Sequence, residues 1–268
     1  MHDKPYATEL RTLAGAVRQA GARALDLARS GFDVQTKKDR SPVTTADLEV
    51  NRILHEMQQT TFPEDGWLSE ESPDDPSRLQ KSRLWIVDPI DGTKAFVNRV
   101  PEFCISIALV EAGKPVVAAI YNPSTDELFT AVRGQGLQLN GKAVAVEPPQ
   151  HYPPIVMINP WEQRQGRWEE LGRSARLRPM YSIAHAMALA AVGRVQATMT
   201  AEPENEWDVA AGVLLLEESG GLSTDAAGAT FTFNQPTPRF RGVIAVAATA
   251  DRGLRSSLQS HADRARRP

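Results

Sequence analysis

The chain of 268 residues has a single cysteine, few aromatic residues (6%) and no long uninterrupted apolar run. Because Cys104 has no second cysteine to pair with, an internal disulfide is excluded, and its apolar neighbours in FCISIALV favour a buried filler over a catalytic thiol. No segment approaches the ~20 apolar residues of a membrane span, and the first residues lack the apolar core of a signal peptide. These absences predict a cytoplasmic protein without a membrane partner.

A large excess of positive charge is also missing, because 30 basic and 33 acidic residues give a formal net charge of −3. This balance argues against a nucleic-acid partner. The one basic stretch, DRARRP at residues 263–268, is interpreted as a solvated helix end, and the alternative is a nucleic-acid-binding arm. Salt-dependent binding before and after deletion of residues 262–268 would separate these two interpretations.

The first half of the chain combines two helical patterns with a series of strands. Apolar residues recur at helical spacing over residues 6–29 and again from Ala46. The polar segment TKKDRSPVTTAD between them is a loop or a hairpin. Further on, RLWIVD predicts a buried strand, and CISIALVE, PVVAAIYN and ELFTAVRG predict an antiparallel meander that continues through the hairpin turn Asn140-Gly141.

The proline-rich stretch VEPPQHYPP at residues 146–154 marks a boundary between an N-terminal part, 1–150, and a C-terminal part, 151–268. Beyond it, the strand-like segments IVMI, QATM and GVIAVAAT alternate with helical stretches. We expect those helices at about 162–176, 183–193, 208–219 and 251–266. The alternation predicts an α+β or α/β fold in which sheets and helices form layers.

Two acids end the buried-looking strand, at Asp88 and Asp91 in the turn DPIDGT. Both carboxylates reach one edge of the sheet, and the free amides of Gly92 and Thr93 at the start of a short helical turn would form a small anion site. Like charges so close together repel each other, and a divalent cation such as Mg²⁺, which prefers hard oxygen ligands, resolves the repulsion. The alternative is an ordinary turn in which both aspartates cap backbone amides.

Three further acids stand at the ends of predicted elements. Glu70, in LSEES, would point inward and its neighbour Glu71 outward if strand alternation continues, and the alternative is a surface pair. Asp208 starts an apolar helix, and Asp47 lies at a loop-to-helix junction. For both of these aspartates the alternative to a metal-site role is a helix N-cap. Acids placed at element ends are typical of a site built on a rigid scaffold.

These stretches, in this order, resemble the inositol monophosphatase family of Mg²⁺-dependent phosphatases. DPIDGT and WDVAAG are similar to the two signature motifs of the family, and LSEES and SPVTTAD are similar to its other two landmarks. The resemblance covers residues 6–250. It implies a layered αβαβα sandwich of the sugar-phosphatase type, a homodimer, and inhibition by Li⁺.

The resemblance also implies residue roles. Two or three Mg²⁺ ions would activate the water that attacks the phosphate. Thr93 would orient this water, with Asp47 or Glu70 as the base, and the amides of Gly92 and Thr93 would hold the phosphate. The expected metal ligands are Glu70, Asp88, Asp91, Asp208 and the carbonyl of Ile90.

The resemblance implies a small phosphorylated molecule as the substrate. DGTKAF, with Lys94, is more similar to the 3′(2′),5′-bisphosphate nucleotidase branch, which favours adenosine 3′,5′-bisphosphate. The Gly-Ser-Ser-x-Lys run common in that branch is replaced here by YSIAHAM, where His185 either lines the substrate pocket or packs among alanines. The resemblance also implies that one of the acids in TAEPENEWD meets a sugar hydroxyl, and this keeps inositol 1-phosphate as the alternative; the candidates are Glu202, Glu204 and Glu206. Fructose 1,6-bisphosphate and histidinol phosphate are further candidates.

A function of another class is a non-catalytic Mg²⁺ or nucleotide sensor that keeps the fold. A lapsed enzyme is expected to lose some of its site residues. Here every expected metal ligand and Thr93 are present, which favours an enzyme.

Overall fold

The computed structural model describes residues 5–38, 41–147 and 152–265. Within these ranges the chain forms helices α1 (Ala7–Ser30), α2 (Thr45–Thr61), α3 (Thr93–Val97), α4 (Pro160–Arg164), α5 (Ile183–Ala191), α6 (Glu206–Glu218) and α7 (Arg252–Ala265). Two 3₁₀ turns cover Pro76–Gln80 and Leu171–Arg173. None of the helices in the described ranges is long and apolar enough to cross a membrane.

The strands come in chain order. They are β1 (Val34–Thr36), β2 (Pro42–Thr44), β3 (Gly66–Ser69), β4 (Arg83–Asp91), β5 (Cys104–Glu111), β6 (Lys114–Asn122), β7 (Glu127–Val132), β8 (Leu137–Leu139), β9 (Lys142–Ala143), β10 (Ile155–Ile158), β11 (Arg176–Pro179), β12 (Ala197–Thr200), β13 (Glu204–Asn205), β14 (Leu222–Thr224), β15 (Arg239–Phe240) and β16 (Val243–Val246). The pairs β1–β2 and β13–β15 are small antiparallel ribbons.

A seven-stranded sheet with the order β3-β4-β5-β6-β7-β8-β9 contains the predicted meander. From β4 onward each strand is antiparallel to the next, and β3 joins the edge parallel to β4. Asn140 and Gly141 link β8 to β9 with φ angles of 50° and 78°. Two successive positive φ values are typical of a tight hairpin turn, so the predicted turn is confirmed.

Helices and sheets alternate as layers. Helices α1 and α2 cover one face of the seven-stranded sheet, where Leu13 and Val50 pack with Trp85. Helices α5 and α6 fill the space between that sheet and a five-stranded sheet with the order β11-β10-β12-β16-β14. Helix α7 covers the outer face of the second sheet, where Leu258 packs with Val156. The predicted αβαβα sandwich is confirmed.

The middle layer explains the composition of its two helices. All nine residues of α5 are buried, as are ten of the residues of α6. A helix that is covered on all sides needs no polar face, which is why IAHAMALAA carries almost no charge. Small residues also let the two helices approach closely. A Cβ atom on Gly212 would lie 2.7 Å from the Cβ of Met187.

The predicted boundary falls between the two sheets, since the first sheet ends at Ala143 and the second begins at Ile155. Residues 148–151 of the boundary lie outside the described ranges. One hydrophobic core nevertheless joins both parts, because α5 and α6 of the C-terminal part pack on the seven-stranded sheet. The division at residue 150 therefore stays a prediction.

The helix expected at 162–176 is wrong. Helix α4 ends at Arg164, Gly166 follows with φ +73°, and the remaining segment forms only the 3₁₀ turn before β11 begins at Arg176. Left-handed backbone at a glycine stops a helix, and the periodic apolar residues of this segment, such as Trp168, are instead anchored under the second sheet. Of the basic stretch at 263–268, residues 266–268 lie outside the described ranges.

Candidate active site

Asp88 and Asp91 lie in the last four residues of β4, on either side of a bulge. Asp88 pairs with Ser106 and Asp91 with Cys104, so two residues of β4 stand opposite one residue of β5. Side chains alternate along a strand, and residues three apart would face opposite sides of a regular sheet. The extra residue corrects the alternation. Both carboxylates therefore reach the same side.

Asp208 reaches this place from the first turn of α6, and Asp47 approaches it from the first turn of α2. The Oδ2 atom of Asp208 accepts the backbone N–H of Asn205 at 2.5 Å, and the Oδ2 atom of Asp47 accepts that of Thr44 at 2.8 Å. Asn205 and Thr44 are the N-caps, so the alternative that each aspartate is itself the N-cap is wrong. Each aspartate closes a capping box with one oxygen, which leaves its second oxygen available for other contacts.

One carboxylate oxygen from each of Asp88, Asp91 and Asp208 lies within 4.8 Å of the others. The three residues are 2%, 8% and 9% exposed. Burial is the largest cause that raises the pKa of each carboxyl, and repulsion from nearby acids, including Glu70, adds to it. The pKa of Asp91 rises to about 7, and those of Asp88 and Asp208 lie well above their usual range.

The three acids fit a divalent cation. The Oδ1 atom of Asp88 is buried and has no hydrogen-bond partner, which is costly for a carboxylate unless a positive charge satisfies it. The available donors are all carboxylate oxygens, which are the ligands that Mg²⁺ prefers. The structure therefore brings three of the expected metal ligands into one group.

A clamp fixes the orientation of Asp91. Its Oδ2 atom accepts one hydrogen bond from the hydroxyl of Ser182 and one from the backbone N–H of Ala184, both at 2.6 Å. Ser182 is also the N-cap of α5, since its Oγ accepts the backbone N–H of His185 at 3.0 Å. Cys104 is buried behind the clamp, as expected for a filler, with its Sγ 3.4 Å from the Ser182 hydroxyl.

Thr93 connects Asp47 to the turn after β4. Its Oγ1 lies 3.1 Å from Oδ1 of Asp47 and 3.1 Å from the carbonyl oxygen of Ile90. The hydroxyl has one proton and donates to either oxygen. Asp47 is 1% exposed, and burial is the main reason that its pKa is raised. A hydroxyl paired with a buried carboxylate is an arrangement that can move a proton.

Glu70 lies outside the group of three. Its Oε1 accepts a hydrogen bond from Nζ of Lys37 at 2.8 Å, and the same ammonium also binds Glu71. The Glu70 side chain is 24% exposed and that of Glu71 only 6%, and both carboxylates bind the same Lys37 ammonium instead of lying on opposite sides of the chain. Strand β3 ends at Ser69, and strand alternation does not extend into the turn that follows. The negative charge of Glu70 still acts on the pKa of Asp88.

Gly92 and Lys94 flank Thr93. Gly92 has φ +92°, and a Cβ atom there would lie 3.1 Å from the carbonyl oxygen of Tyr181, so the turn requires glycine. Lys94 is exposed, and none of the ion pairs in the described part of the chain includes it. Its substrate role and the phosphate role of the Gly92 and Thr93 amides stay predictions.

The other two expected substrate residues are His185 and Glu202. His185 is 5% exposed, burial lowers its pKa to about 4, and the charged groups that act on it are Glu127, Arg194 and Arg178 rather than the acids of the site. The Oε1 atom of Glu202 accepts a hydrogen bond from Arg167 at 2.6 Å. A substrate contact by either residue stays a prediction.

Sequence reasoning missed Ser182 and Lys37, and it considered Glu204 only as one of three acids that could meet a sugar hydroxyl. A serine directly before an apolar helical run is an N-cap signal, and this signal could have identified Ser182. Burial and the nearby Asp208 and Asp91 raise the pKa of Glu204 well above its usual range, which places this glutamate beside the group of three. No sequence signal singles out Lys37 among the other lysines.

The layered sandwich with buried carboxylates at its strand and helix ends is the architecture expected of a metal-dependent phosphatase. Comparison with known proteins agrees. The chain belongs to the inositol monophosphatase family, whose sequence pattern matches residues 7–263. Enzymes of this family hydrolyse phosphate monoesters, so the expected enzyme class is confirmed and the non-catalytic sensor loses its support.

Individual relatives differ in substrate. The inositol-1-monophosphatase of Rhizobium meliloti is 35% identical over 234 residues, which are 82% of this chain and 86% of the relative. The 3′(2′),5′-bisphosphate nucleotidase CysQ of Escherichia coli is 31% identical over 212 residues, 78% of this chain and 85% of the relative. The crystal structure of the suppressor protein suhB from Bartonella henselae superposes with a TM-score of 0.83 at 28% identity and covers 96% of this chain and 98% of its own.

Proposed function

We propose that this chain is a Mg²⁺-dependent phosphomonoesterase that removes the 3′-phosphate of adenosine 3′,5′-bisphosphate. The main support for metal-dependent hydrolysis is the buried group of Asp88, Asp91 and Asp208, in which one oxygen of Asp88 has no hydrogen-bond partner. Lys94, an exposed cation one residue after Thr93, supports a substrate with a second negative charge. The similarity to CysQ points the same way.

Asp88, Asp91 and Asp208 would hold Mg²⁺, joined by the carbonyl oxygen of Ile90 and by Glu70. Mg²⁺ held there supplies Lewis-acid activation of water and offsets negative charge on the leaving oxygen. Glu70 would first have to release Lys37, whose ammonium is 2.8 Å from its Oε1. The expected number of ions, two or three, stays a prediction.

The chain's own residues orient the water and accept its proton. The Thr93 hydroxyl donates a hydrogen bond to Oδ1 of Asp47. A lone pair of the same hydroxyl is then free to accept a hydrogen bond from the attacking water. As the water attacks, its proton passes to the Thr93 hydroxyl while the Thr93 proton passes to Asp47, whose raised pKa makes it a better proton acceptor than an exposed aspartate. The alternative base, Glu70, is paired with Lys37. The backbone N–H groups of Gly92 and Thr93 would hold the phosphate oxygens.

Inositol 1-phosphate is the second candidate substrate. The relative from Rhizobium meliloti, 35% identical, is an inositol-1-monophosphatase. Glu202 would contact a hydroxyl of the ring, but its carboxylate is paired with Arg167 at 2.6 Å. Breaking that pair to bind a neutral hydroxyl is unfavourable, which is why we place the nucleotide first.

Phosphate release with Mg²⁺ from adenosine 3′,5′-bisphosphate and from inositol 1-phosphate tests the proposal. We expect kcat/KM to be about tenfold or more higher for the nucleotide, with adenosine 5′-monophosphate as the product in chromatography. The reverse preference would support the second candidate. Absence of phosphate release from both compounds would contradict both candidates.

A further inference from the structure

A cavity of about 540 Å³ opens beside the candidate active site, between α3 and α4. Its lining begins at Lys94, one residue after Thr93, and includes Tyr181, one residue before the Ser182 clamp. The carbonyl of Tyr181 is also the group that would contact a Cβ on Gly92. The cavity therefore adjoins the turn that carries Asp91 and Thr93, and its volume falls in the usual range for small-molecule sites.

The cavity lining combines aromatic rings with free positive charge. Trp161 and Tyr181 are 44% and 43% exposed, which is unusual for large aromatic side chains in this chain. The guanidinium of Arg167 stacks on Trp161 at 4.8 Å from the ring centroid and so holds the indole in place. A fixed, exposed aromatic face is what a flat ring of a ligand stacks against.

Lys94 and Arg164 supply the charge. Both are exposed, and neither takes part in an ion pair within the ranges that the structure covers. Two nearby arginines differ in this respect, because Arg167 pairs with Glu162 and Glu202, and Arg178 pairs with Glu102. The lining of the cavity contains no acid. Two unpaired cations beside an acid-rich site fit a second anionic group on the substrate.

We propose that this cavity, which we call the leaving-group pocket, binds the part of the substrate that stays behind when phosphate is released: an aromatic base stacked on Trp161 and Tyr181, with its second phosphate on Lys94 and Arg164. The inference rests on the proposed function and adds the residues that select the substrate. Inositol offers neither an aromatic ring nor a second phosphate, so the pocket favours a bisphosphorylated nucleotide.

Three substrates separate the two contacts: adenosine 3′,5′-bisphosphate, adenosine 3′-monophosphate without the second phosphate, and glycerol 2-phosphate without either group. We expect Arg164→Ala to lower kcat/KM about tenfold for the bisphosphate only. Trp161→Ala should lower it about tenfold for both adenosine substrates and leave glycerol 2-phosphate unchanged. Arg173→Ala and Tyr152→Ala, exposed changes outside the pocket, are the matched controls.

If either variant loses kcat/KM equally on all three substrates, or loses none on the bisphosphate, the proposed leaving-group pocket is wrong. The phosphatase activity itself would be unaffected by that result. Absence of phosphate release from every substrate by the unmodified protein would instead overturn the proposed function. The pocket is then tested alone by calorimetric binding of adenosine 5′-monophosphate, which we expect to weaken about tenfold in Arg164→Ala and to stay unchanged in Arg173→Ala. Equal binding to both variants would overturn it.

Discussion

Asp91 illustrates how one side chain of the site depends on both parts of the chain. It ends β4 of the first sheet, yet its Oδ2 atom is held by Ser182 and Ala184 at the start of α5. Two donors fix this oxygen, which orients the carboxylate beside those of Asp88 and Asp208. Partners of this kind commonly control the affinity of a metal site as strongly as the ligands do.

Ser182→Ala should therefore raise the Mg²⁺ concentration that gives half-maximal activity by about tenfold. The same change removes the N-cap of α5 and should lower the free energy of unfolding by about 1 kcal/mol. Activity titrated with Mg²⁺, together with thermal unfolding, measures both effects. Asp75→Ala, which removes the cap of an exposed 3₁₀ turn, is the control. If Ser182→Ala loses stability but keeps the Mg²⁺ requirement, Ser182 serves only as a cap.

Site residues with a distinctive local pattern could be predicted from the sequence. Asp88, Asp91 and Asp208 stand in motifs at element ends, and the structure brings them together. The β4 bulge and the pairing of Lys37 with Glu70 could not be predicted. Both depend on how distant segments meet, since the bulge is defined against β5 and the ion pair spans 33 residues.

At the scale of elements, the contact between α5 and α6 determines how the two sheets face each other. These helices lie between the sheets, and α6 also carries Asp208 in its first turn. Gly212 faces Met187 so closely that an added Cβ atom would lie 2.7 Å from the Met187 Cβ. A shift of α6 away from α5 would also displace Asp208 from the other acids.

Gly212→Ala should thus lower the free energy of unfolding by about 1–2 kcal/mol, because overpacking outweighs the better helix propensity of alanine. Gly15→Ala in α1 is the matched control. Gly15 is exposed and has nothing within 4 Å of an added Cβ. Gly15→Ala should raise the free energy of unfolding by about 0.5–1 kcal/mol. Denaturant unfolding of both variants is the measurement, and an equal gain in both would show that α5 and α6 can separate without cost.

Elements with a clear period could be predicted, and elements without one could not. Helices α1 and α2 follow apolar positions at helical spacing, and the predicted meander follows turn signals. The segment after Pro160 resembles a helix in its apolar spacing, but Gly166 adopts a left-handed conformation and Arg176–Pro179 becomes strand β11 instead. Its pairing with β10 is non-local and leaves no mark in the local sequence.

For the whole molecule, the site lies where the two parts of the chain meet. Asp88, Asp91 and Thr93 come from the first part, and Ser182 and Asp208 come from the second. Mg²⁺ held by these acids would link both parts, so binding and folding are coupled. The homodimer and the inhibition by Li⁺ stay predictions of the family resemblance.

The raised pKa values of the site carboxyls predict an unusual pH dependence of stability. The pKa of Asp91 rises to about 7 on folding from a usual 3.8, so the metal-free folded protein binds more protons than the unfolded chain between these values, and its stability falls as pH rises. His185, with its pKa lowered from 6.5 to about 4, opposes this effect below pH 6.5. Burial also raises the pKa values of Asp88 and Asp208 well above their usual range, so both add to the fall in stability as pH rises.

We therefore expect the melting temperature of the metal-free protein to fall by a few degrees between about pH 6.5 and pH 8. Added Mg²⁺ should raise it more at the higher pH, because fewer protons then compete for the carboxylates. Calorimetry with Mg²⁺ and with EDTA at both pH values measures the effect. A gain from Mg²⁺ that is the same at both pH values would mean that these acids do not bind the cation.

The most direct measurement is Mg²⁺-dependent phosphate release by the unmodified protein and by Asp88→Asn, with adenosine 3′,5′-bisphosphate as substrate and circular dichroism to verify folding. The buried group of Asp88, Asp91 and Asp208 predicts turnover that rises with Mg²⁺ and disappears in EDTA. It predicts a loss of about a hundredfold or more in the folded variant. Turnover that survives EDTA, or a folded Asp88→Asn protein as active as the original, would contradict the account.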